Sequence, residues 1–424
     1  MKTLIQSVRG TRDFYPEDMA VRTWLYNKIR RVAESFGYQE YEGPFLESID
    51  LYAAKSGEEL VKEQSFVFPD RGGDLLTLRP ELTPSLARMV AQRQKQLVYP
   101  LRWWSFGPFW RYETPQKGRR REFFQWNIDM IGVDSPEADA ELIAVAATFF
   151  QETGLSPTQV QILVNNRQLI NAEFEVMEIP QSQRAEVLRL IDRRDKMRPD
   201  EWNSYAQEIG LSKVQFNALS SLLANDELWR KSQDMVRLFN ALDALGVMPY
   251  VRYAPQIVRG LDYYTGTVFE AWDVEGEFRA MFGGGRYDNL VAAVGGDPLP
   301  ATGFALGDVV ISLVLKKYGL IPSGLDASPA PVLVTVFDES MLAASISLAA
   351  ELRQAGINVN CYPEASKLAK QFKFADRIGV KVVLVLGPDE LNARQVTIKD
   401  LGAGTQTTTN REKVVEAISS ILDS

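Results

Sequence analysis

The stretch that decides the reading is Val258-Arg259-Gly260-Leu261-Asp262-Tyr263-Tyr264-Thr265-Gly266-Thr267-Val268-Phe269-Glu270. An arginine beside a glycine is followed by two tyrosines, and the run ends in β-prone Thr267-Val268-Phe269, so the charge stands at a strand edge. Arg259 stays cationic under all ordinary conditions and offers a planar fork of donors, which suits a carboxylate, a phosphate, or both in succession. Gly260 lets a backbone come close, and Tyr263 and Tyr264 offer apolar walls with polar tips. Two readings stand at this point: an arginine aimed into an anion pocket, or one held in a structural ion pair with Asp262 or another neighbour.

Downstream, Gly283-Gly284-Gly285-Arg286-Tyr287-Asp288-Asn289-Leu290 allows a backbone to pack against a ligand, at a spacing that fits neither a dinucleotide nor a Walker loop. Residues 301–311 then read as a strand, a glycine and a helix start. Upstream, Phe109-Trp110-Arg111-Tyr112-Glu113 and Arg121-Glu122-Phe123-Phe124-Gln125 flank the basic loop Thr114-Pro115-Gln116-Lys117-Gly118-Arg119-Arg120, which predicts a long hairpin. Its cations fit either a solvated tip or a nucleoside triphosphate gripped by arginines at the root and tip, with a flat aromatic beside it. Directly after it, Gln125-Trp126-Asn127-Ile128-Asp129 alternates, so Gln125, Asn127 and Asp129 share one strand face. In Glu81-Leu82-Thr83-Pro84 a carboxylate and a hydroxyl two residues apart can accept from an ammonium group, while Thr83-Pro84 equally fits a helix start.

Toward the N-terminus, Pro16, Glu17 and Asp18 suit a first helical turn. Val21, Trp24, Leu25, Ile29, Val32 and Phe36 then recur at helical spacing until Gly37, which predicts a helix over 16–36 and a strand over 38–41. The pattern predicts an apolar helix over 138–151, a strand over 153–165, and a more polar helical region over 169–245 that carries Arg193, Arg194, Lys196 and Arg198. Residues 321–331 have linker composition. Beyond them short apolar runs alternate with helical patterns as in a small α/β domain, with Lys367, Lys370, Lys373 and Arg377 at helical spacing.

Composition narrows the classes. A chain of 424 residues, 46% hydrophobic, can bury sizeable cores in two or three domains. A net charge of −8 argues against a generally basic nucleic-acid binder, so such a partner would need local basic patches. Cys361 is the only cysteine, which excludes an internal disulfide and a cysteine-based zinc site. The chain has no histidine, which excludes imidazole acid–base catalysis, Ser/His/Asp triads and histidine-ligated metals. No apolar leader core and no membrane-length run is present, and the expectation is a soluble cytosolic protein without membrane partners.

The two strings at 258–270 and 283–290 together resemble the histidine-specific signatures of the histidyl-tRNA synthetase family, and the similarity runs from Gly10-Thr11-Arg12-Asp13 to the C-terminal domain. The resemblance implies an α+β class II synthetase catalytic domain, with an antiparallel sheet flanked by helices, a helical insertion and a C-terminal α/β anticodon-binding domain. The expected bounds are 1–325 for the catalytic domain, interrupted by the insertion at 172–236, then 326–331 for the linker and 332–424 for the anticodon-binding domain. It implies ATP with Mg2+, L-histidine and tRNA(His) as partners, and a homodimer built through the first helix and strand. Its nearest non-charging relative is the regulatory subunit of ATP phosphoribosyltransferase, which lacks the anticodon domain.

Carried over residue by residue, the resemblance places Glu81 and Thr83 on the α-amino group of histidine, Gln125 at its amino and carboxylate end, and Asp129 on an imidazole N–H. Tyr263, Tyr264 and Tyr287 surround the amino acid. Arg259 bridges the histidine carboxylate and the ATP α-phosphate and Arg111 meets the same phosphate, both as catalytic groups, while Glu113 meets the adenine amino group, Phe123 the base, and Arg119 or Arg121 the γ-phosphate. Gln116 and Lys117 face the tRNA acceptor end, and Lys367, Lys370 and Lys373 its anticodon arm. The chain departs at Val310, where most class II synthetases carry an arginine that braces the triphosphate. Arg119, Arg121 or a carboxylate-held magnesium ion is expected to supply that charge.

Overall fold

The computed structural model describes residues 4–53, 63–194, 197–258, 264–325 and 328–423. Arg259 and Tyr263 lie outside the described residues. The chain forms two compact units, one of residues 1–15 and 22–322, the other of 16–21 and 323–424.

The strands of the first unit are β1 (Gln39–Glu40), β2 (Leu46–Ser48), β3 (Phe66–Pro69), β4 (Leu75–Leu78), β5 (Leu101–Trp110), β6 (Glu122–Ile131), β7 (Val160–Asn166), β8 (Val251–Tyr253), β9 (Thr267–Asp273), β10 (Phe282–Arg286) and β11 (Ala301–Gly307). Eight of them form one sheet in the order β1-β5-β6-β11-β10-β9-β7-β8. Its interior pairs are antiparallel, and only the edge pairs β1 with β5 and β7 with β8 are parallel. β2, β4 and β3 make a smaller antiparallel sheet.

The alternation read from 125–129 explains the layering. Trp126, Ile128 and Met130 point into the main core, where the Trp126 ring lies 5.4 Å from Phe149 and 5.1 Å from Phe304. Phe149 belongs to the helix Pro136–Glu152, which Ser135 caps by accepting from the Ala138 N–H. The opposite face keeps Gln125, Asn127 and Asp129 together, and it is flanked by small residues. In register, Gln125 stands between Gly107 and Gly307, Asn127 between Ser105 and Ala305, and Asp129 between Gly303 and the one bulky neighbour, Trp103. The missing side chains leave a trough over the middle of the sheet. At Gly284 a Cβ would come within 2.5 Å of the Gly303 carbonyl, so only glycine lets β10 and β11 pass here.

The first helix runs Pro16–Ser35, one residue short of expectation, with Gly37 turning the chain at φ +79°. The strand expected over 153–165 begins only at Val160. Thr153 instead closes the preceding helix, its hydroxyl donating to the Phe149 carbonyl at 2.9 Å. The bounds expected for the insertion, 172 and 236, fall inside the helices Arg167–Val176 and Gln233–Ala244. The helices Gln181–Asp192, Pro199–Glu208 and Lys213–Leu223 between them place Val187, Trp202 and Leu219 in the same apolar core as the sheet.

In the second unit, β12 (Val332–Val334), β13 (Val359–Cys361), β14 (Val382–Val385), β15 (Gln395–Asp400) and β16 (Thr405–Asn410) follow the order β13-β12-β14-β15-β16. The first three are parallel and the last two add antiparallel, over a core that includes Val334, Leu348, Leu384 and Ile418. The helix Leu368–Arg377 buries Gln371 and Ala375 and leaves Lys370, Lys373 and Arg377 exposed, with Lys367 at its N-cap. Among the described residues no helix is long and apolar enough to cross a membrane.

Candidate active site

A cavity of about 1030 Å³ opens above the trough. Arg111, Glu113, Arg119, Arg120, Phe123 and Gln125 line one side, and Glu270, Arg279, Gly283, Ala305 and Gly307 line the floor and far wall. The hairpin of β5 and β6 supplies the first group. Arg111 leaves the end of β5 with its Nε donating to the Pro80 carbonyl at 2.9 Å and its guanidinium carbon 5.4 Å from the centre of the Phe123 ring. One edge of the arginine is thereby fixed, and the rest of its donor fork is directed into the cavity.

The hairpin loop holds the other cations. Arg119 pairs with Glu113 at 3.1 Å. Lys117 pairs with Glu277 at 2.9 Å and lies 4.8 Å from the centre of the Phe278 ring, so the cation expected to face tRNA is tied to the turn between β9 and β10. Gln116 exchanges backbone hydrogen bonds with Arg119 across the loop. Arg121 departs from expectation. Its guanidinium lies 4.4 Å from the Tyr112 ring and its stem packs against Gly10, whose carbonyl accepts from the Arg121 N–H at 2.9 Å. A long-range contact with the N-terminal segment thus holds Arg121 away, and it is not among the residues that line the cavity.

The polar row continues beyond the cavity into a more enclosed end. Asp129 is 4% exposed and accepts from the Tyr287 hydroxyl, itself on the segment that follows β10. Gly303 sits directly beside it, where a Cβ would come within 2.8 Å of the Asp129 carboxyl carbon. The buried hydroxyl of Tyr41 has no hydrogen-bond partner among the described residues, and burial followed by the charge of Asp129 pushes its pKa well up. Tyr264 packs against Ala254, Ile257 and Val268, and its carbonyl accepts from Arg167 at 2.8 Å. Glu81 is 8% exposed at the entry to the helix Thr83–Arg93. Thr83 is the first residue of that helix and Leu82 its N-cap, so the Thr83 hydroxyl does not serve as the cap.

Burial drives the Asp129 carboxyl up to about 7, with the Tyr287 hydroxyl pulling the other way. An acid whose folded pKa lies above its unfolded value of about 4 stabilises the fold most when protonated, below that value. That stability is lost as pH rises toward 7, on the order of 4 kcal/mol in all. Asp129→Asn, which removes the titration, is therefore expected to raise the thermal midpoint at pH 8 and to leave it nearly unchanged at pH 4. Calorimetric scans of both proteins at the two pH values test this.

Sequence reasoning did not single out Glu270, Arg252 or Arg279 as parts of the cavity. Glu270 was legible in principle, because it alternates with Phe269 and Ala271 and must face away from the core. Val310, 8% exposed, lines the cavity, and its Cγ2 stands 3.6 Å from where a Cβ on Gly118 would be. Asp308 turns away to accept from Arg12 at 2.7 Å and from the Phe124 N–H at 2.8 Å. Among the described residues no group of three or more carboxylate or cysteine side chains could hold a metal ion alone.

The family model described as Histidyl-tRNA synthetase matches residues 10–308, most of the chain and all of this site except its end at Val309 and Val310. The chain belongs to the histidyl-tRNA synthetase family. A second model, Anticodon binding domain, matches residues 331–421. A histidine–tRNA ligase of Opitutus terrae is 38% identical over 425 residues, covering 96% of this chain and 97% of that protein. One from Leptospira biflexa is 34% identical over 430 residues, covering 98% of each. In fold, the chain matches a crystal structure of histidyl-tRNA synthetase from Nostoc sp. PCC 7120 at a TM-score of 0.82, with 24% identity and coverage of 99% and 100%. The class II fold of this family is thus the fold of the first unit, and the anticodon-binding domain that of the second.

Proposed function

We infer that this chain ligates L-histidine to tRNA(His) in two steps, consuming ATP and forming a histidyl-adenylate between them. In the first step the histidine carboxylate attacks the ATP α-phosphorus and pyrophosphate leaves. In the second, the terminal ribose hydroxyl of tRNA attacks the adenylate carbonyl carbon and AMP leaves. The observation that carries this reading is the polar row Gln125-Asn127-Asp129, flanked by Gly107, Gly307, Ser105, Ala305 and Gly303 and open at Gln125 to the arginine-lined cavity. An amino acid lying along the row presents its carboxylate to a nucleotide held by Arg111 and Phe123.

A carboxylate is already nucleophilic, so the first step calls for alignment and charge neutralisation rather than a protein base. Arg111 supplies both at the α-phosphate, and Arg259 is the second cation assigned to it. Asp129, accepting from the Tyr287 hydroxyl, receives an imidazole N–H. Glu81, Thr83 and Gln125 take the ammonium group, and Tyr263, Tyr264 and Tyr287 enclose the ligand. Magnesium, when bound with ATP, neutralises phosphate charge, and Glu270 on the cavity floor is the carboxylate that would hold it. On the second unit, the exposed Lys370, Lys373 and Arg377 suit a phosphate backbone, with Lys367 beside them. The domain roles are those of the bounds given above, the working form is a homodimer, and the setting is the cytoplasm.

The regulatory-subunit alternative is less supported, because the anticodon-binding match covers 331–421. The deciding experiment is ATP–pyrophosphate exchange with each amino acid in turn. Exchange with histidine alone is the expected result. Histidine binding by calorimetry without exchange would favour the regulatory reading.

A further inference from the structure

The position where most class II synthetases carry a triphosphate-bracing arginine is Val310 here, and Arg121, one candidate substitute, is drawn off by Gly10 and Tyr112. The cavity lining holds another cation with no such partner. Arg279 lines the cavity from the turn joining β9 to β10, and among the described residues it makes no hydrogen bond or ion pair. Arg119 and Glu113 line the same cavity, and their charges act on Arg279 in opposite senses. Glu113 is already paired with Arg119 at 3.1 Å, so one carboxylate stands against two guanidinium groups. Burial, then the charge of Arg119, lowers the Arg279 pKa, with Glu113 acting the other way. Arg279 is exposed and Arg119 partly so, and two guanidinium groups against one carboxylate give this part of the cavity a positive field that attracts an anion.

The turn is also anchored for the task. Glu277 and Phe278 donate their backbone N–H groups to the Asp273 carboxylate at 2.9 and 3.0 Å. Lys317 pairs with Glu275 at 2.6 Å and Glu277 at 3.1 Å, and Lys117 joins the turn to the hairpin loop through Glu277 at 2.9 Å. Arg279 is therefore held on a braced turn that Lys117 ties to the loop carrying Arg119, and Val310 stands beside Gly118 of that loop.

We propose that Arg279 is the triphosphate-binding cation of this chain, contacting the β- and γ-phosphates of ATP from the β9–β10 turn in place of the arginine absent at Val310. The proposal rests on the reading of the cavity as an ATP site, and its test separates the two. Arg279→Gln and Arg279→Lys are assayed in histidine-dependent ATP–pyrophosphate exchange, and ATP and AMP binding are measured by calorimetry with thermal midpoints alongside. A charged hydrogen bond to phosphate corresponds to a loss of about 10- to 100-fold.

The expected result is a KM for ATP raised by that factor in Arg279→Gln, with the KM for histidine, the affinity for AMP and the midpoint unchanged. Arg279→Lys should retain most of the ATP affinity, and adding Val310→Arg to Arg279→Gln should regain at least tenfold. An unchanged KM for ATP, an equal loss for ATP and AMP, or no regain with Val310→Arg would overturn the proposal. Failure of the unmodified protein to bind ATP at all would overturn the underlying reading instead.

Discussion

Arg111→Ala is expected to slow histidine-dependent pyrophosphate exchange about 10³-fold, roughly 4 kcal/mol of transition-state stabilisation. The size follows from position. Arg111 is fixed at one edge by the Pro80 carbonyl and at its face by Phe123, so its remaining donors are set before substrate arrives. Preorganised donors cost no reorganisation when charge develops on the α-phosphate, which is why removing one has so large an effect. The loss should appear mainly in kcat, because the reacting phosphate gains its demand for charge in the transition state. A loss smaller than tenfold, with fold retained by circular dichroism, would remove Arg111 from the catalytic role.

The second large effect is on stability. Arg286→Leu should destabilise the first unit by about 3–5 kcal/mol, because it leaves a buried carboxylate uncompensated. Arg286 donates to Asp139 at 2.8 Å, to the Val133 carbonyl at 3.0 Å and to the Ser135 carbonyl at 2.9 Å, with side chains only 6% and 2% exposed for Arg286 and Asp139. It therefore fastens the end of β10 to the start of the helix Pro136–Glu152. The exposed pair Arg237–Glu137, at 2.7 Å, gives the contrast, and Arg237→Gln should not shift the unfolding curve measurably. All eight tryptophans precede residue 323, so their fluorescence in urea reports the first unit without interference from the second. If Arg286→Leu unfolds at the midpoint of the unmodified chain, the lock is not what holds β10.

Features set by local chemistry were legible in the sequence. The helix Pro16–Ser35 was bracketed by Pro16 and Gly37, and the alternation over 125–129 placed Gln125, Asn127 and Asp129 on one face because a strand repeats every two residues. The fold class followed from resemblance in the two signatures rather than from composition or periodicity. What escaped was set by partners distant in sequence. Arg121 reads as a loop cation until Gly10 captures its stem, and Arg286 reads as part of a ligand-facing signature until Asp139, 147 residues away, claims it. Arg279 was hidden for another reason. In Val274-Glu275-Gly276-Glu277-Phe278-Arg279 the acidic residues read as a solvated turn, and only the tertiary pairing of Glu277 with Lys117 shows which way that turn leans.

The enclosed Asp129–Tyr287 end of the row has a spectroscopic consequence in a chain with no histidine. Any imidazole carbon-bound proton or nitrogen resonance recorded from the untagged complex originates in the ligand. Isotope-labelled histidine would thus report its own tautomer, and the charge on Asp129 across pH, against a silent background. The recognition chemistry of the amino acid can be followed by magnetic resonance without substituting a single residue.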